Sequence, residues 1–271
     1  MPVIAHHHHI DPEILNLVVD SRVAAVLDKI ITGSEFSKKQ LINEWGIKEE
    51  KIEVVCYGVS ECYSPEEKNV RLENKYQTQG KKVLLYLGAL KKRKNLFFLL
   101  ECLKGLSELS GKEWICLVSG RGKDAGELKK QTELLGLSHK VKFCGYIPED
   151  EKVSMLNLCD IFLFPSLLEG FGMAAVEAMA CGKPVIALKN ASLPEIIKNG
   201  ETGFLVSPGD KKEYISSLSY LIESNKECVE MGVKAASHVK KTFNWDKCAE
   251  KVMSSYKNYC DSYNKMRIKT K

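Results

Sequence analysis

Two short, continuously apolar runs, Ile161-Phe-Leu-Phe164 and Pro184-Val-Ile-Ala-Leu188, bracket one helical pattern that starts near Met173. Apolar runs without polar alternation suit strands buried on both faces, as in parallel sheets. The order strand, turn, helix, turn, strand therefore implies an α/β architecture with a doubly wound parallel sheet. Gly170 and Gly172 lie in the turn before the helix, where backbone can come close to a ligand. The unbonded N–H groups of the helix's first turn would face whatever sits over the sheet edge, which suits an anion or a polyol.

Glu169 lies in that turn, and Glu177 lies about one and a half turns into the helix, among Ala174, Ala175 and Ala178. A helix rises roughly 7 Å over that distance. Both carboxylates can thus line one cleft at different depths and hold two parts of one long ligand. The plainer alternative makes Glu177 part of a solvated helix face and Glu169 a loop charge. A Glu on a helix of Met, Ala and Val needs a partner if it is buried.

The stretch Ser166-Leu-Leu-Glu-Gly-Phe-Gly-Met-Ala-Ala-Val-Glu-Ala-Met-Ala-Cys-Gly-Lys-Pro-Val185 resembles the signature of the retaining glycosyltransferases with two facing Rossmann domains, the GT-B type, group 1 or family 4-like. The resemblance implies that Glu169 contacts hydroxyls of the transferred sugar and that Glu177 binds the ribose hydroxyls of the nucleotide. Gly170, Phe171 and Gly172 would line the same donor site. It further implies a nucleotide-sugar donor as substrate, no cofactor, and a glycan, lipid or small-molecule acceptor.

At 271 residues, with 44% apolar and 28% charged residues, the chain suits a globular protein with a sizeable core. Its net charge of +5 is far from the basic stripe of a nucleic-acid binder, so no nucleic-acid partner is expected. None of the ten cysteines stands at C-x-x-C spacing, which argues against a zinc cluster, and those within Trp114-Ile-Cys-Leu-Val118 and Val141-Lys-Phe-Cys144 suit buried reduced thiols. The composition and the lack of a long apolar run suggest a cytoplasmic protein or one peripheral at the inner membrane face.

The chain opens with Met1-Pro-Val-Ile-Ala, followed by four histidines. These histidines can be an affinity tag, a metal cluster, or the active-site end of a strand over Pro2 to Ala5. A helix is expected from Asp11-Pro12 to about Leu27, a strand at Lys29–Thr32, a helix capped by Ser34 across Phe36–Trp45, and a strand at Lys51–Val55. This order resembles the close of the family's first domain, which implies that His6 or His7 faces the transferred sugar. Gly58-Val59 fits the family pattern, but Tyr57 stands where Asn is usual and Ser60 where Asp is usual. The expected division is a remnant of an acceptor-side domain over 1–62, a linker over 63–80, a nucleotide-sugar-binding domain over 81–242, and a terminal crossing helix with a basic tail over 243–271. The resemblance then implies that the earlier βα units belong either to a longer chain of which this is a fragment or to a separate polypeptide.

Within the second domain, Lys82–Leu87 is a strand, and Lys91-Lys-Arg-Lys94 leads into a helix from Leu96. Cations at a strand end beside a helix start suit a diphosphate; the alternative is a solvated basic turn. The resemblance implies that Arg93 and Lys94 stabilise the leaving diphosphate, with Ala89 where the family often has Arg. The Gly120-Arg-Gly122 turn alone indicates little beyond a tight turn. By resemblance Tyr146 and Ile147 pack on the nucleobase, although a purely structural loop is an equal reading. Helices are also expected at Glu127–Leu135, Glu149–Leu158, Asp210–Glu223, Glu227–Lys240 and from Phe243 through Tyr259, with Ser192 capping a short one. Thr202–Val206 reads as an edge strand and Lys265–Lys271 as a frayed end. No D-x-D pair is present to hold a divalent ion, so metal-independent chemistry is expected, with a nucleotide-sugar epimerase or phosphorylase, or a donor-binding subunit needing a partner, as alternatives.

Overall fold

The computed structural model describes residues 3–7, 26–109 and 111–269. The chain forms two compact units. One comprises the described residues up to Ser60 together with Glu169–Phe171 and the stretch from Phe243. The other comprises Glu61–Leu168 and Gly172–Thr242.

The smaller unit is built on three parallel strands in the order β1-β2-β3: β1 (Ile4–His7), β2 (Lys29–Thr32) and β3 (Ile52–Val54). Alternation along β2 supplies both faces. Ile30 packs with Leu27, Leu41, Ile47 and Ile52 beneath α1 (Glu35–Trp45), while Ile31 packs with Val55, Cys248, Val252 and Tyr256 of α10 (Trp245–Lys269). Ser34 caps α1 as expected, accepting from the Ser37 N–H at 3.1 Å, and Gly46 ends it in the left-handed region at φ 63°. The strand with the histidines ends at His7 rather than Ala5, because His6 and His7 pair with Ile31 and Thr32 of β2. The helix expected from Asp11, together with His8 and His9, lies outside the described residues.

The larger unit holds six parallel strands in the order β6-β5-β4-β7-β8-β9: β4 (Lys82–Leu87), β5 (Trp114–Ser119), β6 (Val141–Gly145), β7 (Ile161–Phe164), β8 (Val185–Leu188) and β9 (Gly203–Val206). Val83 to Tyr86 and all of β7 and β8 are buried, as expected of strands covered on both faces. Leu96, Leu99, Leu103 and Leu106 recur along one face of α3 (Leu96–Leu109), and that face meets Tyr214, Leu218 and Leu221 of α8 (Lys211–Glu223). The remaining helices are α2 (Val70–Tyr76), α4 (Ala125–Leu134), α5 (Glu149–Leu158), α6 (Met173–Ala180), α7 (Leu193–Ile196) and α9 (Asn225–Thr242).

Three local expectations need correction. The polar stretch read as a linker contains α2, capped by Asn69, whose side chain accepts from the Arg71 and Leu72 N–H groups, and anchored by buried Leu72 and Tyr76. Ser192 gives α7 no side-chain cap, because its own backbone is already helical at φ −80° and ψ −8°. The end read as frayed from Lys265 stays helical to Lys269.

The Gly120-Arg-Gly122 turn turns out to be a contact between two backbones. A Cβ on Gly120, whose φ is 142°, would lie 1.8 Å from the Gly88 carbonyl oxygen, and one on Gly122 would lie 2.0 Å from that of Leu90. Gly120→Ala should therefore lower stability by about 3 kcal/mol, read as a reduced urea midpoint. An unchanged midpoint would show that the two turns separate without cost.

Candidate functional site

Gly88 and Leu90 follow the carboxyl end of β4, and their N–H groups donate to the Ser119 and Arg121 carbonyls at 3.0 and 2.9 Å. The chain then forms one tight turn over Lys92–Lys94, closed by the Lys94 N–H on the Lys91 carbonyl at 2.8 Å, and exits through Asn95 at φ 58°. Arg93 ties this turn to the loop after the neighbouring strand β7. Its carbonyl accepts from the Leu167 N–H at 2.8 Å, and its guanidinium Nη1 donates to the Leu168 carbonyl at 3.1 Å. Lys94 is buried, with its ammonium 5.2 Å from the centre of the Phe164 ring.

Helix α6 starts on the same loop. Its N-cap, Gly172, sits at φ 104° and offers no side-chain acceptor to the first turn of N–H groups. An alanine Cβ there would be strained and 3.1 Å from Leu193 Cδ2. Two cations and an uncapped helix start thus share the carboxyl ends of adjacent strands, an arrangement suited to a diphosphate.

Glu177, one and a half turns into α6, is buried, which removes the solvated-face alternative. The partner that such a carboxylate needs is Lys152 of α5, 2.8 Å from Oε1. Burial pushes the Glu177 carboxyl above its ordinary range, and the Lys152 hydrogen bond and charge oppose that rise. Tyr146 is exposed, with the Arg121 guanidinium 5.0 Å from its ring centre, and Ile147 is half-buried.

Glu169, Gly170 and Phe171 group with the smaller unit. The Gly170 carbonyl accepts from the Ser34 hydroxyl at 2.5 Å and from the Ser37 hydroxyl at 3.1 Å. Phe171 meets Tyr57 edge-on at 5.0 Å and Phe243 at 5.6 Å. Glu169 is buried beside them in sequence. His6 and His7 point to opposite faces of β1: His6 Nε2 lies 2.6 Å from the Tyr256 hydroxyl, and the His7 ring meets Trp45 edge-on at 5.4 Å. Tyr57, at the position where Asn is usual, also donates from its hydroxyl to the His7 carbonyl at 3.4 Å. It thereby links the end of β1 to the Glu169–Phe171 segment. Gly33 makes room for it, since a Cβ there would stand 2.5 Å from Tyr57 Cε2.

Sequence reasoning does not find Lys152 or the double hydroxyl contact to Gly170, and it marks Tyr57 only as a departure from the family pattern. Ser34 announces itself only as a helix cap. Burial raises the Cys102, Cys159 and Cys181 thiols to about 12, so these three remain protonated. Among the described residues no group of three or more His, Cys, Asp or Glu side chains is arranged to hold a metal ion, and no helix is long and apolar enough to cross a membrane.

The family model described as Glycosyl transferases group 1 matches residues 69–238, more than half of the chain. The chain belongs to the glycosyl transferases group 1 family. It is 26% identical over 231 residues to O-antigen chain mannosyltransferase B of Escherichia coli, covering 84% of this chain and 60% of that one. It is 33% identical over 181 residues to D-inositol 3-phosphate glycosyltransferase of Corynebacterium jeikeium, covering 65% and 43%. The group 1 chain thus spans 60% or less of the length of these relatives. Among solved structures, Anabaena Alr3699/HepE in complex with UDP and glucose superposes with a TM-score of 0.83 at 22% identity, over 95% of this chain and 72% of that one. Sucrose-phosphate synthase from Thermosynechococcus elongatus gives 0.79 at 20% identity, over 95% and 68%. The parallel α/β architecture is that of GT-B glycosyltransferases.

Proposed function

We propose that this group 1 chain binds a nucleotide-sugar donor and takes part in transferring its sugar, with retention of configuration and without a metal, to a glycan, lipid or small-molecule hydroxyl. The supporting observation is the Arg93–Lys94 turn, bonded to the loop that opens α6. Arg93 and Lys94 neutralise the charge that develops on the departing diphosphate. Glu177 accepts from the ribose hydroxyls, Glu169 from hydroxyls of the sugar, and Tyr146 with Ile147 flanks the base. Gly170, Phe171 and Gly172 shape the donor loop, and His6 or His7 contributes a hydrogen bond to the sugar. The bond from the anomeric carbon to the diphosphate breaks as the acceptor oxygen bonds to that carbon on the same face. The acceptor proton passes to the departing diphosphate oxygen.

UDP is the first nucleotide to try, because the Anabaena neighbour is described with UDP and glucose. Calorimetry with a panel of uridine and guanosine diphosphate sugars should show binding of at least one. Anomeric proton couplings of any transferred product should match those of the donor. Inverted couplings would remove the retaining assignment, and absence of binding across the panel would remove the donor-site reading.

A further inference from the structure

In the larger unit Tyr63, Glu149, Lys152 and Glu177 form one hydrogen-bonded line. The Tyr63 hydroxyl donates to Glu149 Oε1 at 2.7 Å. Lys152 Nζ donates to that same oxygen at 3.3 Å and to Glu177 Oε1 at 2.8 Å, with its ammonium 5.5 Å from the centre of the Tyr63 ring. The two carboxylates differ in setting, since Glu149 is exposed and Glu177 buried. Lys152 joins them with a side chain only 15% exposed.

A buried carboxyl facing a vicinal diol has one useful form. Ionised, it accepts hydrogen bonds from both hydroxyls; protonated, it spends one oxygen as a donor. We propose that Lys152 is a positioning residue for nucleotide recognition: it holds one oxygen of Glu177 and keeps that carboxylate ionised, so that it accepts from both hydroxyls of a ribose. The proposal rests on reading Glu177 as the ribose residue. Burial drives Glu177 toward the neutral form, and the Lys152 contact opposes it. Burial also favours neutral Lys152, yet its two carboxylate partners raise the ammonium above its ordinary range, so Lys152 stays a cation beside Glu177.

Lys152 carries the larger part of this duty, and the Tyr63 hydroxyl adds a smaller hydrogen-bonding contribution in the same direction. From α5, Glu149 adds a second negative charge, which by itself raises Glu177. Tyr63 is pushed far up by burial and stays a neutral donor. At the end of α6 the Cys181 thiol, raised to about 12, stays neutral as well. Strands β7 and β8 carry apolar side chains, and α9 meets the residue after that end backbone to backbone, where a Cβ on Gly232 would stand 2.1 Å from the Gly182 carbonyl oxygen.

The test is calorimetry on the full chain from pH 6 to 8.5, with UDP, GDP and their 2′,3′-dideoxy analogues, for the unaltered protein, Lys152→Met, Lys152→Gln and Lys152→Arg. A carboxyl that titrates within the range costs up to about tenfold in diol affinity per pH unit below its midpoint. In the Met and Gln variants the acid-side loss of ribonucleotide affinity should begin at higher pH than in the unaltered protein. Arg should restore the original profile, and affinity for the dideoxy analogues should not change with any substitution. An unchanged profile in both Met and Gln variants, or equal losses for ribo and dideoxy ligands, overturns the role of Lys152 and leaves Glu177 as the ribose residue. An unaltered protein that does not prefer a ribonucleotide over its dideoxy analogue overturns the ribose reading itself, and the role of Lys152 with it.

Discussion

Lys94→Ala should weaken binding of a nucleoside diphosphate by tens-fold while changing binding of the parent nucleoside by less than about threefold. A hydrogen bond to a charged partner contributes about 1.5–3 kcal/mol, and tenfold in affinity corresponds to about 1.4 kcal/mol. Lys94 should reach the upper part of that range, because its buried ammonium beside the Phe164 ring acts in a poorly screened setting. For the same reason added salt should remove only part of the difference. Lys94→Met separates charge from packing, since it keeps most of the buried stem. It should reproduce the diphosphate loss with a smaller loss of stability. Equal losses for nucleoside and diphosphate in the Met variant would mean that Lys94 supports the turn without touching phosphate.

Glu177→Ala should be costly in two ways that Glu177→Gln separates. Removing one partner of a buried ion pair leaves the other charge uncompensated, at about 3–5 kcal/mol, and Lys152 is the charge left behind in the Ala variant. That loss would appear as a lower urea midpoint. Gln preserves volume and one acceptor for Lys152, so it should fold more stably than Ala. It should still lose about tenfold or more in affinity for a nucleotide with an intact ribose, because a neutral amide replaces a charged acceptor. A Gln variant with unchanged nucleotide affinity would confine Glu177 to holding α5 against α6.

The elements legible in the sequence are those whose signals are local. Continuous apolar runs identify β4, β7 and β8, and capping residues at Ser34 and Asp210 identify the starts of α1 and α8, with Asp210 accepting from the Glu213 N–H at 2.9 Å. Glu169, Glu177, Arg93 and Lys94 stand out because acidic or basic residues interrupt apolar or glycine-rich runs. Lys152 does not, because it follows Glu149-Asp-Glu151 at a helix start and there resembles an ordinary solvated charge. Only the packing of α5 beside α6 brings it to Glu177, 25 residues away. Helix α2 is hidden for a related reason, since just two of its seven residues, Leu72 and Tyr76, are buried. Ser192 shows the converse: a favourable cap residue fails where backbone dihedrals leave its hydroxyl out of position.

The strand order also carries a kinetic consequence. β4 and β7 are neighbours, and the Asp160 carboxylate accepts from the Val83 N–H across 77 positions of chain. A growing chain that stops short of Leu168 already contains Lys91 to Lys94 but lacks the carbonyl that seats the Arg93 guanidinium. Contacts of such long sequence separation close late, after the loop entropy between them has been overcome. The Arg93 turn should therefore order as a step when the second half of the sheet is synthesised and docks, which makes that turn a timer for completion of the sheet.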